Sequence, residues 1–236
     1  MPKTFTFNSK KSSDLGLVVQ GATINKTPAR PYDLQKIPGR AGLLIIDSSI
    51  DDLENVEITY TVGCKDIAAN RDAVADWLFG SAAYAKLADS SDASSYRMAI
   101  CTSGQDWDEQ IRNFGTAKLV FSCKPFRFLA SGDTKTTLTA AGKITNPTAY
   151  TALPYIKITG SGNITLSVNG SSFPFLNIGS YIECDSSLQL VYTGVTGKPD
   201  RANFDSFPVL SPGGNAISWS GGTVTKVEIV PHWRRL

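Results

Sequence analysis

The chain has 236 residues, of which 42% are hydrophobic and 19% are charged, and its formal net charge is +2. This composition is typical of a globular protein with one or two cores, and the balance of charges in both halves argues against nucleic acid or an anionic membrane as a partner. No apolar run approaches the roughly 18 residues of a membrane span, and the first residues lack the apolar segment of a signal peptide, so we expect a chain made in the cytosol.

Residues 1–130 combine strand signals with one helix. The alternation of large and polar side chains predicts strands at 3–8, 15–20, 57–64, 97–101 and 118–123, and an apolar run predicts another at 43–46. Residues 67–79 predict an α-helix with Asp66 as N-cap, Gly80 as terminator and one apolar stripe formed by Ile67, Val74, Trp77 and Leu78. This pattern predicts a β-rich, barrel-like or sandwich-like domain with a single helix.

Two segments of this first domain are candidates for contact with another molecule. The run PARPYDLQKIPGRAG, at 28–42, is broken by prolines and is expected to be extended on the surface, so Pro31, Tyr32, Pro38 and Arg40 are candidate contacts. Trp107 lies in a polar stretch, 102–113, that predicts an exposed loop. This tryptophan is either a hydrophobic side chain folded back onto the domain, which the sequence slightly favours, or a contact for a partner.

Residues 131–145 are rich in Gly, Thr, Ser, Ala and Lys, with only Leu138 and Ile144 as large aliphatic side chains. Such a segment buries too little apolar surface to offset the entropy of ordering it. The sequence therefore predicts a linker at 131–145, with the most exposed backbone of the chain and the first site of proteolysis.

Residues 146–236 predict a second, all-β domain made of short strands separated by turns. The Asn169-Gly170 pair after 164–168 is the strongest hairpin signal in the chain. The candidate strands are 155–159, 164–168, 173–178, 181–184, 189–193, 216–219 and 224–230. Seven short strands with no helical period indicate a β-sandwich, so the whole chain is predicted to be mainly β.

Few residues in the sequence suggest a catalytic site or a metal site. The single histidine, His232, stands near the end of the chain, which leaves a catalytic triad or a zinc site without its usual residues. Cys64, Cys101, Cys123 and Cys184 are scattered and are expected to be buried thiols, with a disulfide or a metal site as the alternatives. We therefore predict no catalytic residues, no metal and no cofactor.

Two further patterns have a plain explanation. Asp47, Asp51 and Asp52 lack the spacing and the glycine of a calcium loop and favour a solvated turn. A sandwich rich in aromatic residues suggests a sugar-binding module as an alternative function, with Trp219, Trp233 and Tyr192 as the candidate stacking rings, although packing in a core is the commoner fate of such rings.

Several segments in order resemble a known family. They are FTFNSKKSSDLGLVV, KIPGRAGLLIID, YAKLADSSDASSYRMAI, KLVFSCKPFRF, FPVLSPGGNAISWSG and VEIVPHWRRL. Together they resemble the distal tail protein family of long-tailed, non-contractile bacteriophages, over nearly the whole chain.

The resemblance implies a first domain that assembles as a hexameric ring at the tip of the phage tail and a second, galectin-like β-sandwich that projects outward. The implied partners are other copies of the chain, the tail tube protein, the tail-associated hub protein and, in many phages, receptor-binding proteins. The implied location is the virion tail tip, after synthesis in the cytoplasm of the bacterial host. The His, Asn, Arg, Trp and Glu cluster of true galectins has no match here, so the fold name does not imply lectin activity.

Overall fold

The protein is described from a computed structural model that covers residues 3–47, 53–104, 106–111 and 114–236. The chain divides into two compact units, Met1–Arg127 with Leu236, and Phe128–Arg235. Among the described residues no helix is long and apolar enough to cross a membrane.

The first unit is a β-sheet with one α-helix. Its elements are β1 (Phe5–Phe7), β2 (Lys10–Lys11), β3 (Leu17–Thr23), β4 (Asp33–Lys36), β5 (Leu43–Asp47), β6 (Val56–Lys65), α1 (Ile67–Phe79), β7 (Ala85–Asp89), β8 (Ser95–Cys101), β9 (Asp108–Ile111) and β10 (Phe114–Leu129), of which β10 continues into the second unit. The main sheet has the order β2-β1-β7-β8-β10-β6-β3, with β9 paired to β10. Strands β4 and β5 form a separate two-stranded sheet.

An aromatic cluster joins the helix to this sheet. The rings of Phe5 and Tyr60 are stacked with centroids 4.3 Å apart, and Phe121 meets Phe7 at 5.1 Å. The indole Nε1–H of Trp77, in α1, donates a hydrogen bond of 2.9 Å to the carbonyl oxygen of Phe7. The alternation of large side chains that predicts the strands thus also supplies one face of the first core.

The predicted helix is confirmed at 67–79, and Gly80 is its C-cap residue as predicted, but the predicted capping role of the Asp66 side chain is wrong. Asp66 has left-handed backbone geometry with φ 53° and makes no side-chain cap bond; its carbonyl oxygen instead accepts from Ala69 N and Asn70 N. Gly80 is right-handed, and its N–H donates to the carbonyl oxygen of Asp76. Because β6 runs directly into α1 with one residue between them, Asp66 must make the turn itself and cannot adopt the extended geometry of an N-cap.

The second unit is built from two linked β-sheets. Its strands are β11 (Thr136–Leu138), β12 (Gly142–Asn146), β13 (Tyr155–Val168), β14 (Ser171–Ile178), β15 (Tyr181–Asp185), β16 (Leu190–Thr193), β17 (Thr196–Gly197), β18 (Gly213–Ser220), β19 (Thr223–Val230) and β20 (Arg234–Arg235). The mainly β prediction with one α-helix is confirmed for the described residues. The galectin-like assignment of this half stays a prediction.

Strand β13 belongs to both sheets. Its first half pairs with β15 and β19, and its second half pairs with β14 and β18. The ladder with β19 shifts register between Thr159 and Gly160, where a side chain on Gly160 would collide with the carbonyl of Thr223. A β-bulge at this glycine therefore lets the strand pass from one sheet to the other. The two separate strands predicted at 155–159 and 164–168 are parts of the single strand β13.

The linker predicted at 131–145 is contradicted by the structure. Strand β11 pairs with β19, strand β12 pairs with β18, and Ile144 is buried in the second core. Backbone hydrogen bonds along a sheet edge order this segment, because edge pairing does not require many large side chains. The pairing also removes the reason to expect the first proteolytic cut at 131–145.

Candidate subunit-contact site

Strands β4 and β5 form a hairpin that pairs with no other described strand. The register sets Leu34 opposite Ile45 and Lys36 opposite Leu43, after an irregularity between Asp33 and Leu34. A two-stranded hairpin is at best marginally stable in water unless one face packs on something else. We therefore expect the hairpin to be stabilised by packing against a further surface.

One face of this hairpin is mainly apolar and exposed to solvent. Side chains alternate along a strand, so Leu34, Leu43 and Ile45 lie on the same face as Lys36, and we call this the hairpin face. The exposed fractions of Leu34, Leu43 and Ile45 are 49%, 57% and 54%. Ile46, also exposed, lies on the opposite face. Exposed apolar side chains that cluster in this way are typical of an interaction surface, whereas single exposed apolar side chains are common on any protein surface.

The predicted arm residues lie on or beside this hairpin. Pro38 begins the turn between the strands, in which Arg40 N donates a hydrogen bond of 3.2 Å to the carbonyl oxygen of Ile37. Pro31 and Tyr32 precede β4, and all four candidates are exposed. The fold thus gathers Pro31, Tyr32, Pro38 and Arg40 on one projecting element, while their role in contact remains a prediction.

The hairpin face itself was not predicted. The sequence predicted an apolar run at 43–46 and an extended arm at 28–42, but not the pairing between them. The signal was present, because the Pro38-Gly39 turn lies between DLQK and LLII, and the alternate residues Leu34, Leu43 and Ile45 are all apolar.

Trp107 lies elsewhere in the first unit. It is half-buried and packs against the first core, just before β9. Its role as a partner contact stays a prediction.

The rings proposed for sugar stacking are spread over the second unit. Trp233 is buried, with 6% exposure, and Trp219 is half-buried and packs against the same core. Tyr192 is half-buried in β16, where it pairs in register with Glu183. Two of the three rings are thus engaged in core packing.

The residues considered for chemistry are dispersed. Within the described ranges, no group of three or more His, Cys, Asp or Glu side chains could hold a metal ion. Cys64, Cys123 and Cys184 are buried free thiols, and Cys101 is a half-buried one. Burial raises the pKa of the Cys123 and Cys184 thiols to about 12, which keeps both protonated at neutral pH.

Comparison with known proteins gives a likeness in structure and none in sequence. No family model matches the sequence, and no curated protein matches it. The fold matches the crystal structure of the SPP1 Dit (gp 19.1) protein, which is described as a paradigm of the hub adsorption apparatus in phages that infect Gram-positive bacteria. The TM-score is 0.75 at 13% identity, and the match covers 100% of both chains.

Proposed function

The chain has the fold of a siphophage distal tail protein along its full length, and we propose that it performs that structural role in a phage or prophage with a long, non-contractile tail. In this proposal six copies form a ring that joins the tail tube to the tail-associated hub protein, with receptor-binding proteins attached in many phages. The chain would act at the virion tail tip after synthesis in the cytoplasm of the bacterial host. The observation that carries the proposal is the full-length match in fold.

The hairpin face supports assembly as the basis of this role. Fully burying a Leu or Ile side chain contributes about 1.5–3 kcal/mol, so burying three half-exposed ones would contribute about 3 kcal/mol per interface. A closed ring repeats that contribution at every interface and leaves none of these faces in water. We therefore infer that the hairpin of one copy packs on the next copy.

The experiment places charge on one face of the hairpin at a time. Leu43→Asp and Ile45→Asp put carboxylates on the hairpin face, and Gln35→Asp puts one at an exposed position on the opposite face of the same strand pair. Sedimentation velocity at micromolar concentration, with and without the hub protein, reads the size of the assembly. The hairpin-face variants should fail to assemble and Gln35→Asp should assemble like the unsubstituted chain.

Two results would contradict the proposal. If the unsubstituted chain sediments as a monomer in both conditions, the ring is wrong. If Gln35→Asp disrupts assembly as strongly as Leu43→Asp, the hairpin matters through its fold and not through the hairpin face. Circular dichroism of each variant separates a local effect from unfolding.

The carbohydrate-binding alternative has less support, because Trp233 and Trp219 pack against the second core. Binding of an oligosaccharide at micromolar concentration that is lost in Tyr192→Ala, without unfolding, would revive it. We also propose that the chain has no enzymatic activity, since its function as a ring component requires none.

A further inference from the structure

In the described part of the first unit, one buried arginine has no anionic partner. Arg97, in β8, has only 4% exposure, although an ionised group buried in this way is normally paired with one of opposite charge. Its Nη1 donates to the carbonyl oxygens of Pro125 at 2.6 Å and Lys124 at 3.3 Å, and its Nη2 donates to that of Lys26 at 2.7 Å. Among the described residues it makes no ion pair with a carboxylate.

A second arginine adds positive charge beside it. Burial lowers the pKa of Arg97, and repulsion from the guanidinium group of Arg127 lowers it further. Arg127 Nη2 donates to the main-chain oxygen of Leu236 at 3.0 Å, and its Nη1 lies 3.7 Å from Asp92 Oδ2. Its Nε is buried and has no hydrogen-bond partner among the described atoms. A buried donor in this state destabilises the fold.

Both arginines line one open cavity of about 60 Å³. The rest of its wall includes Ser95, Tyr96, Asp89 and Asp92, together with the apolar side chains of Ile24 and Leu87. The two aspartates are already engaged: Asp89 accepts from Tyr60 Oη at 3.1 Å and from Ser91 N at 2.8 Å, and Asp92 accepts from the Ser94 and Ser95 hydroxyls. They reduce the positive potential of the cavity without pairing with Arg97.

We propose that this cavity binds a single carboxylate group between Arg97 and Arg127. A planar guanidinium matches a carboxylate with paired hydrogen bonds, and the cavity has room for a group of that size. The aspartates in the wall disfavour a dianion such as hydrogen phosphate, because like charges at short range repel strongly in a partly desolvated site. A bound carboxylate would supply the negative charge that Arg97 lacks.

The carboxylate group can belong either to a small organic acid or to an acidic side chain of another protein molecule. Both use the same chemistry, and the experiment distinguishes them. The proposal stands on the first unit alone and does not depend on the ring.

The test is a titration of the full chain with sodium acetate, read from the arginine Nε–H signals in ¹H–¹⁵N NMR spectra. Sodium chloride at equal ionic strength and sodium phosphate are the comparison salts. We expect a saturable shift of the Arg97 and Arg127 signals with acetate and only a small, linear drift with chloride and phosphate. In Arg127→Gln the Arg97 signal should require at least about tenfold more acetate, because a charged hydrogen bond is lost. Arg71→Gln, at an arginine whose side chain is 65% exposed, should titrate like the unsubstituted chain.

Arg97→Lys provides a second variant, which keeps the positive charge at this position and removes the planar fork. It should also weaken acetate binding by at least about tenfold. If the source is an acidic side chain, both signals should already lie at their bound positions in an assembled sample, and acetate should move them only after dissociation. Linear drifts that are equal in acetate and chloride, in the dissociated chain, would overturn the proposal, as would saturable binding that Arg127→Gln and Arg97→Lys leave unchanged.

Discussion

Replacing Phe121 by alanine should lower the stability of the first unit by about 4.5 kcal/mol. The ring is 0% exposed, and its centroid lies 5.1 Å from that of Phe7, 5.7 Å from that of Phe5 and 5.9 Å from that of Tyr60. A buried Phe→Ala change costs about 3–5 kcal/mol, and the loss of several ring pairs, each worth about 0.5–1.5 kcal/mol, places this site near the upper end.

This loss should appear as a large shift in one thermal transition. A unit of this size has an unfolding entropy of about 0.27 kcal/mol/K near its midpoint, so the midpoint should fall by about 17 °C. Differential scanning calorimetry of the full chain measures the shift, and Phe175→Ala, at a 0% exposed ring in the second unit, should move the other transition. Phe79→Ala, at a ring that is 47% exposed, is the control and should change the midpoint by only a few degrees.

Two outcomes would refute the reasoning. A Phe121→Ala midpoint close to that of Phe79→Ala would mean that the aromatic cluster does not hold the first core together. Equal shifts of a single transition by Phe121→Ala and Phe175→Ala would mean that the two units unfold together and are not independent domains.

Three further predictions concern single groups. Asn215 is 0% exposed, and its side chain forms hydrogen bonds with Ser211, Asn169 and Gly213. Asn215→Ala should therefore lower the free energy of unfolding, measured in guanidinium, by about 2–4 kcal/mol. Asn203→Ala, at an exposed position, should leave it almost unchanged. Hydrogen bonds from Lys135 and Lys226 lower the pKa of Glu228 below 4.5. The resulting stabilisation of the fold is present above that value and is lost as the pH falls through the lowered pKa. Glu228→Gln should therefore flatten the loss of stability in acid, and Glu57→Gln should not. Iodoacetamide at pH 8 should label the half-buried Cys101 first in the folded chain and all four cysteines in denaturant; early labelling of Cys123 or Cys184 would contradict the burial that raises their pKa.

The regular elements could be predicted because their side chains alternate or repeat along the sequence. Helix α1 was predicted with its bounds, since Val74, Trp77 and Leu78 form one buried stripe. The backbone geometry of Asp66 could not be predicted, because it depends on where β6 ends.

The features that the sequence did not predict share a physical cause, which is pairing between segments that are distant in the sequence. Strands β11 and β12 are ordered by backbone bonds to β19 and β18, about 70 to 90 residues away, and their own side chains carry no strong strand signal. The hairpin face appeared only once β4 and β5 were paired. Arg97 was placed in a predicted strand, but nothing in the local sequence indicates that its face of β8 is buried.

The most direct test of the proposed role is electron microscopy of the purified chain at micromolar concentration, alone and with the hub protein. Six copies of a 25.3 kDa chain would form a closed particle of about 152 kDa, and we expect sixfold rings in class averages of at least the mixed sample. Monomers in both samples, or closed particles with a different symmetry, would contradict the proposed hexameric ring.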